Sequence, residues 1–295
     1  MSYGGLKLRT PVDVGRSEVE ISLRDKIMVL GSCFADNVGG KMADLGFDAV
    51  VNPFGTLYNP VSICNSVARL SSGVPFSEDE CVEMGAGAGL VCSFSHHTSF
   101  ARRTAGEFLT VANEALSKAS EFWKGAGKVM VTLGTAWCYK SLRTGEIVSN
   151  CLKIDAKEFT RRRLSVEEVS ALLVSMVRRH PDKEFVFTVS PIRHLKDGAH
   201  GNQLSKSTLL MAIDDAMGKL NAGGKRVAEY FPAYEIVMDE LRDYRFYAED
   251  MVHPSAQAVE YLWSRFVDFA LPRTELASLA EREAALRRSR HRPIH

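Results

Sequence analysis

Three short runs of the chain are apolar almost without interruption: Ile27-Met28-Val29-Leu30, Val129-Met130-Val131-Thr132-Leu133 and Phe185-Val186-Phe187-Thr188-Val189. A strand with one wet face alternates apolar and polar residues, whereas a strand covered on both faces does not. The runs therefore read as buried strands of a parallel sheet. Between them the period lengthens to that of a helix. Residues 165–179 open on Ser165 with Glu168 three positions later, the spacing of a capping box, and then carry apolar residues at helical intervals. Residues 203–220 and 255–270 also read as helices, and Glu275 to Leu286 is helical in character. Strands alternating with helices predict a doubly wound α/β fold over residues 1–272. A helical tail over 273–295 follows, with a basic end at Arg287, Arg288, Arg290 and Arg292. Residues 52–126 are less regular. Asn52-Pro53-Phe54-Gly55 and Tyr58-Asn59-Pro60 are turn-rich. Residues 73–108 lack periodicity and read as an insertion, or as a pair of irregular strands near the site.

Composition removes several function classes. Of 295 residues, 45% are apolar and 25% charged, and the net charge is +1. That is an ordinary globular balance, with nothing that calls for nucleic acid or an anionic membrane. No stretch approaches the roughly 18 apolar residues of a membrane span. The N-terminal MSYGGLKLRT has no apolar h-region, so a cytoplasmic location is expected. Cys33, Cys64, Cys81, Cys92, Cys138 and Cys151 are scattered without a C-x-x-C pair, which suits reduced thiols better than disulfides or zinc. No carboxylate stands at ligand spacing from His96 and His97, so no metal is expected. The first strand-to-helix turn has no G-x-G-x-x-G run, and no cofactor is expected. Nothing in the sequence indicates an oligomeric state.

In a parallel α/β sheet, ligands bind beyond the carboxyl ends of the strands. Those positions are Gly31-Ser32-Cys33 after the first run, Gly134-Thr135-Ala136-Trp137 after the second and Ser190-Pro191-Ile192-Arg193-His194 after the third. A nucleophile at residue 32 or 33 would sit at a helix N-terminus, where free N–H groups can hold an oxyanion. The plainer alternative is a Ser cap followed by a small buried Cys. Asp250-Met251-Val252-His253-Pro254-Ser255 precedes the last helix of the domain. An aspartate three residues before a histidine can place its carboxylate on Nδ1 and leave Nε2 free to take a proton. An exposed helix-start Asp with an incidental His has the same spacing. Arg193 and His194 suit an anionic or sugar group, or a surface loop. Asn150, Asn202, Ser205 and Lys206 are polar loop residues that turn chemistry also explains.

Gly31-Ser32-Cys33-Phe34-Ala35 resembles the name-giving motif of the GSCFA domain family, which is grouped with the SGNH (GDSL-like) hydrolases. Asn52-Pro53-Phe54-Gly55, Tyr58-Asn59-Pro60, Thr132 to Trp137, Thr188 to His194, Ser205-Lys206, Tyr230 to Glu235 and Asp243 to Ser255 look like further family blocks, spread over residues 25–270. The resemblance implies a three-layer α/β/α sandwich with a parallel, flavodoxin-like sheet. It also implies acyl transfer: an esterase, deacetylase or O-acyltransferase acting on a carbohydrate-like or other small acyl ester. The SGNH Asp-x-x-His block maps onto Asp250 and His253. An ungapped match of the first block makes Cys33 the nucleophile, and a one-residue shift makes it Ser32. The usual oxyanion Asn of the third block falls on Ala136. Gly55, Asn59, Gly134, Thr135, Asn150, Arg193 and His194 are then the candidates for oxyanion and substrate binding. Asn150-Cys151-Leu152-Lys153 lacks the His often found in that family segment. The loss at Ala136 also fits a different class of protein, a catalytically silent module that binds a glycan or other ligand.

Overall fold

The computed structural model describes residues 10–290. The three apolar runs are strands β1 (Lys26–Gly31), β3 (Lys128–Leu133) and β4 (Glu184–Val189). Two shorter strands, β2 (Asp48–Val51) and β5 (Ala228–Phe231), lie at the edges. All five pair in parallel, in the order β2-β1-β3-β4-β5. The register sets Val29 beside Met130 and Met130 beside Val186. Successive side chains leave opposite faces. Met28, Leu30, Val129, Val131, Phe185 and Phe187 enter one core, and Ile27, Val29, Met130, Val186 and Phe231 enter the other.

Helices cover both faces. The first core is closed by α2 (Pro60–Ser72), α3 (Ala105–Gly125), α4 (Val166–Arg178) and α5 (Gly198–Leu220). The second is closed by α1 (Cys33–Asp44), α6 (Ala256–Ala270) and α7 (Leu276–Arg290). The architecture is an α/β fold with a parallel central sheet between two helical layers. Ser165 and Glu168 form the capping box of α4. The tail helix α7 is docked: Leu279 is buried, Arg282 donates to the carbonyls of Leu45 and Gly46 at 3.0 and 2.9 Å, and Arg290 pairs with Asp44 at 2.6 Å. Arg292 lies outside the described residues.

Residues 52–126 are more regular than their composition suggests, since α2 and α3 both fall there. The Tyr58-Asn59-Pro60 turn is the start of a helix. Asn59 Oδ1 accepts the Ser62 N–H at 2.9 Å, and Pro60, which has no N–H to lose, occupies the first turn. Thr104 caps α3 in the same way. Within 73–108 the chain forms a small antiparallel pair, Val82–Glu83 with Val91–Cys92. A second small antiparallel sheet, Trp137–Ser141 with Ile147–Val148 and Phe159–Arg163, is inserted between β3 and α4.

Candidate functional site

Strand order reverses between β1 and β3, because the chain runs from β1 out to the β2 edge and returns to β3. A crevice forms at the carboxyl ends of two such strands. The turn out of β1 lies against β3. Gly31 has φ +133°, and a Cβ there would sit 2.1 Å from the Thr132 carbonyl oxygen, so only glycine fits. The Gly31 N–H is held by Asn52 Oδ1 at 2.8 Å, and the Ser32 N–H by the Thr132 carbonyl at 3.2 Å.

The turn gives its two candidate nucleophiles different environments. Ser32 is 1% exposed, and its Oγ accepts the Phe34 N–H at 3.3 Å as the cap of α1. Cys33 is the first residue of α1, is half-buried, and lines an open cleft of about 520 Å³. Its Sγ lies 3.5 Å from Tyr58 Oη, which is 3.3 Å from Thr56 Oγ1. Burial pushes the Tyr58 phenol up to about 12, and the neighbouring Cys33 adds to the shift. Tyr58 is therefore a neutral hydroxyl at physiological pH.

His253 lines the same cleft. Asp250 Oδ2 accepts from its Nδ1 at 2.6 Å, while Asp250 Oδ1 accepts the main-chain N–H groups of Val252 and His253 at 2.9 and 3.0 Å. The His253 N–H, its ring and the Val252 N–H together hold the Asp250 carboxyl down at about 2, so it is an anion. The loop geometry turns Nδ1 of the imidazole to Asp250 and leaves Nε2 as the nitrogen that Asp250 does not engage. No hydrogen bond joins Cys33 Sγ to this imidazole among the described residues; such contacts often tighten only when substrate binds.

Trp137, Tyr139 and Arg161 of the small sheet form one wall. The Arg161 guanidinium lies 4.4 Å from the Trp137 ring centroid and pairs with Asp197. Arg193 and His194 form another wall. Burial, reinforced by the Lys206 charge, holds the His194 imidazole down at about 4, and its buried Nε2 has no partner among the described residues. Tyr58, Trp137, Tyr139 and Arg161 reach the cleft through tertiary packing; Trp137 follows the second apolar run and Tyr58 opens a family block, whereas no local pattern marks Tyr139 or Arg161.

The other candidates are less central. Gly55 gives its N–H to the Asn52 carbonyl at 2.8 Å and faces the His97 side chain. The N–H groups of Gly134 and Thr135 both go to the Tyr58 carbonyl, at 2.9 and 3.0 Å. The Thr135 hydroxyl, though in the cleft, lies 3.0 Å from Ser205 Oγ. Asn150 Oδ1 accepts the Leu152 N–H at 2.8 Å, and Asn150 is not among the cleft residues. Asn59 is a helix cap, and Asn202 Oδ1 accepts the His194 N–H at 2.9 Å. His97 caps a 3-10 turn, and His96 is buried away from the cleft.

Lys206 binds the ends of β3 and β4 together from behind. It is fully buried, and its Nζ donates to the carbonyls of Gly134 and Ser190, both at 2.7 Å. Burial holds this amine down at about 7. Lys206→Met would strip both carbonyls of a donor and is expected to destabilise the protein by about 2–4 kcal/mol. A denaturant titration showing less than about 0.5 kcal/mol would contradict this.

The model of the GSCFA family matches residues 26–266. The match covers most of the chain, which belongs to that family. No curated protein matches it. Among the described residues no helix is long and apolar enough to cross a membrane.

Proposed function

We propose that this GSCFA-family protein is an acyl-transfer enzyme of SGNH-like type, an esterase, deacetylase or O-acyltransferase, with Cys33 as nucleophile and His253–Asp250 as its base and orienter. The observation that carries the reading is the sharing of one cleft by a helix-terminal thiol and an imidazole whose other nitrogen is held by a carboxylate. The resemblance of Asp250-x-x-His253 to the last SGNH block supports it. A carbohydrate-like acyl ester suits the Trp137 and Tyr139 wall, where a sugar ring can stack.

The steps follow from the residues. His253 Nε2 takes the proton of Cys33 Sγ as sulfur attacks the ester carbonyl carbon. The carbonyl oxygen becomes an oxyanion at the N-terminus of α1, where negative charge is favoured. The N–H of Cys33 and the neutral Tyr58 hydroxyl are its donors, replacing the Asn absent at Ala136. Collapse expels the alcohol oxygen, which takes the proton from His253 and leaves a thioester on Cys33. Water or an acceptor hydroxyl then attacks the thioester, His253 takes the attacker's proton, and that proton returns to the departing Cys33 sulfur. Hydrolysis and transfer differ only in the attacker.

A catalytically silent glycan-binding module is the second reading. It is favoured by the engagement of the Gly134 and Thr135 N–H groups by the Tyr58 carbonyl. Intact-mass and peptide analysis after brief exposure to an aryl acetate distinguishes the two. The enzyme reading expects one acetyl group on Cys33, labile to hydroxylamine, at a rate at least about ten times that of the other five cysteines and dependent on His253. Uniform slow labelling, unaffected by His253→Ala, would leave the binding module.

A further inference from the structure

A second hollow of about 210 Å³ adjoins the catalytic cleft, and Arg193 lines both. Its other walls include Arg242, Asp243, Tyr244, Tyr247 and Met238. The segment that builds it is unusual. Residues Ile236–Leu241 form a π-helical turn, a feature that clusters at functional sites, and it ends on Arg242 with φ 45°. Met251, two residues before His253, also has a positive φ of 56°, and its carbonyl accepts from Arg193 Nη1 at 3.3 Å. One left-handed non-glycine residue, Arg242, thus lines the hollow, and a second, Met251, is tied to it through Arg193.

The charges of this hollow do not cancel. Its one carboxylate among the described residues, Asp243, is occupied by the N–H and the guanidinium of Arg245, at 2.9 and 3.0 Å. The Arg193 guanidinium lies 5.6 Å from the Tyr247 ring centroid and meets a carbonyl, with no carboxylate partner among the described residues. Arg242 likewise has no carboxylate partner there, although its N–H is bonded to the Val237 carbonyl at 3.1 Å. The Tyr247 hydroxyl donates to Met238 Sδ at 3.3 Å, a weak acceptor, and Tyr244 is 67% exposed. Across the wall, Asp197 is committed to Arg161 and Asp250 to His253. Two planar guanidiniums and two phenols around one small hollow match a carboxylate or a phosphate, which accepts two parallel hydrogen bonds from each fork.

We propose that this hollow is a subsite for an anionic group of the substrate, and that the ester turned over beside it is that of an acidic sugar, carrying a carboxylate or phosphate held by Arg193 and Arg242. The proposal rests on the acyl-transfer reading for the word substrate, and on the hollow alone for anion binding.

The test therefore has a binding arm and a kinetic arm. In the first, the intact protein is titrated calorimetrically with glucose, glucuronate, glucose 6-phosphate and inorganic phosphate. Glucuronate or the sugar phosphate is expected to bind at least about tenfold tighter than glucose, and more weakly as salt rises. Whichever anion leads identifies the source of the charge. Arg242→Gln is expected to weaken that anion about tenfold without weakening glucose equally. In the second, acetylated glucuronate and acetylated glucose are compared as esters, and Arg242→Gln is expected to lower the anionic-to-neutral ratio of kcat/KM about tenfold. Equal binding of glucose and the anions, or anion affinity unchanged in both Arg242→Gln and Arg193→Gln, overturns the subsite. Selective anion binding with no acyl adduct on Cys33 keeps the subsite and overturns the enzyme reading instead.

Discussion

Cys33→Ala is expected to lower kcat/KM on an activated acyl ester by about 10⁴-fold, and His253→Ala by a similar factor. Ser32→Ala is expected to change it by less than about threefold. The contrast follows from the turn. The Ser32 hydroxyl is buried and caps α1, so its removal costs about 1 kcal/mol of stability and nothing in the reaction. The Cys33 sulfur lies in the cleft with His253. If thiol and imidazole act as one unit, as proposed, the double variant should be no slower than either single one. Asp250→Asn should be nearly as damaging, since an amide donating to Nδ1 would favour the wrong tautomer. Tyr58→Phe removes one of the two proposed oxyanion donors and should cost about 10²-fold, mostly in kcat. Steady-state kinetics on purified variants of equal thermal stability decides the matter. Full activity in Cys33→Ala with loss in Ser32→Ala would make Ser32 the nucleophile.

The same residues show what a sequence reveals of such a site. Asp250 and His253 were legible because three residues of one loop suffice to bring carboxylate and imidazole together. The central strands were legible because burial on both faces erases alternation, as in Val129 to Leu133. The edge strands were not. β2 and β5 have four residues each and include Asp48 and Glu229, so neither offers four apolar residues in a row. Asn59-Pro60 has the composition of a turn, and only the fold shows that it opens α2. The engagement of the Gly134 and Thr135 N–H groups depends on a carbonyl more than 70 residues away, at Tyr58. The cleft wall unites Trp137 with Arg161 through an antiparallel register that no local signal encodes. Ionic partners across such distances set the charge of the cleft.

The protein should lose stability steeply between pH 6.5 and pH 4, and one buried histidine outside the cleft should carry about half of that loss. His96 is fully buried within four rings, with centroids of Phe76, Phe100, Phe108 and Phe54 at 4.5, 4.8, 5.2 and 5.3 Å. Its Nδ1 lies 2.6 Å from Ser93 Oγ, and its Nε2 has no partner among the described residues. Burial, followed by the nearby Arg69 charge, holds this imidazole down at about 3. A base held below its unfolded value binds fewer protons in the folded state, so stability is fully present above about 6.5 and declines as pH falls toward the folded value. At pH 4 the cost is about 3 kcal/mol, and His194, held at about 4, adds a comparable amount. Together these approach the whole stability of an ordinary domain. Asp250 does not share this window, because its contribution is lost only as pH falls from the ordinary carboxylate range toward about 2. His96→Phe keeps the ring among its neighbours and removes the titration. Ser93 Oγ retains the Ser95 N–H at 3.2 Å, so the variant is expected to match the parent at pH 7.5 within about 1 kcal/mol. At pH 4 it should be the more stable of the two by about 2–3 kcal/mol. Urea titrations of both proteins across this range check it, and parallel curves would show that His96 does not set the acid limit.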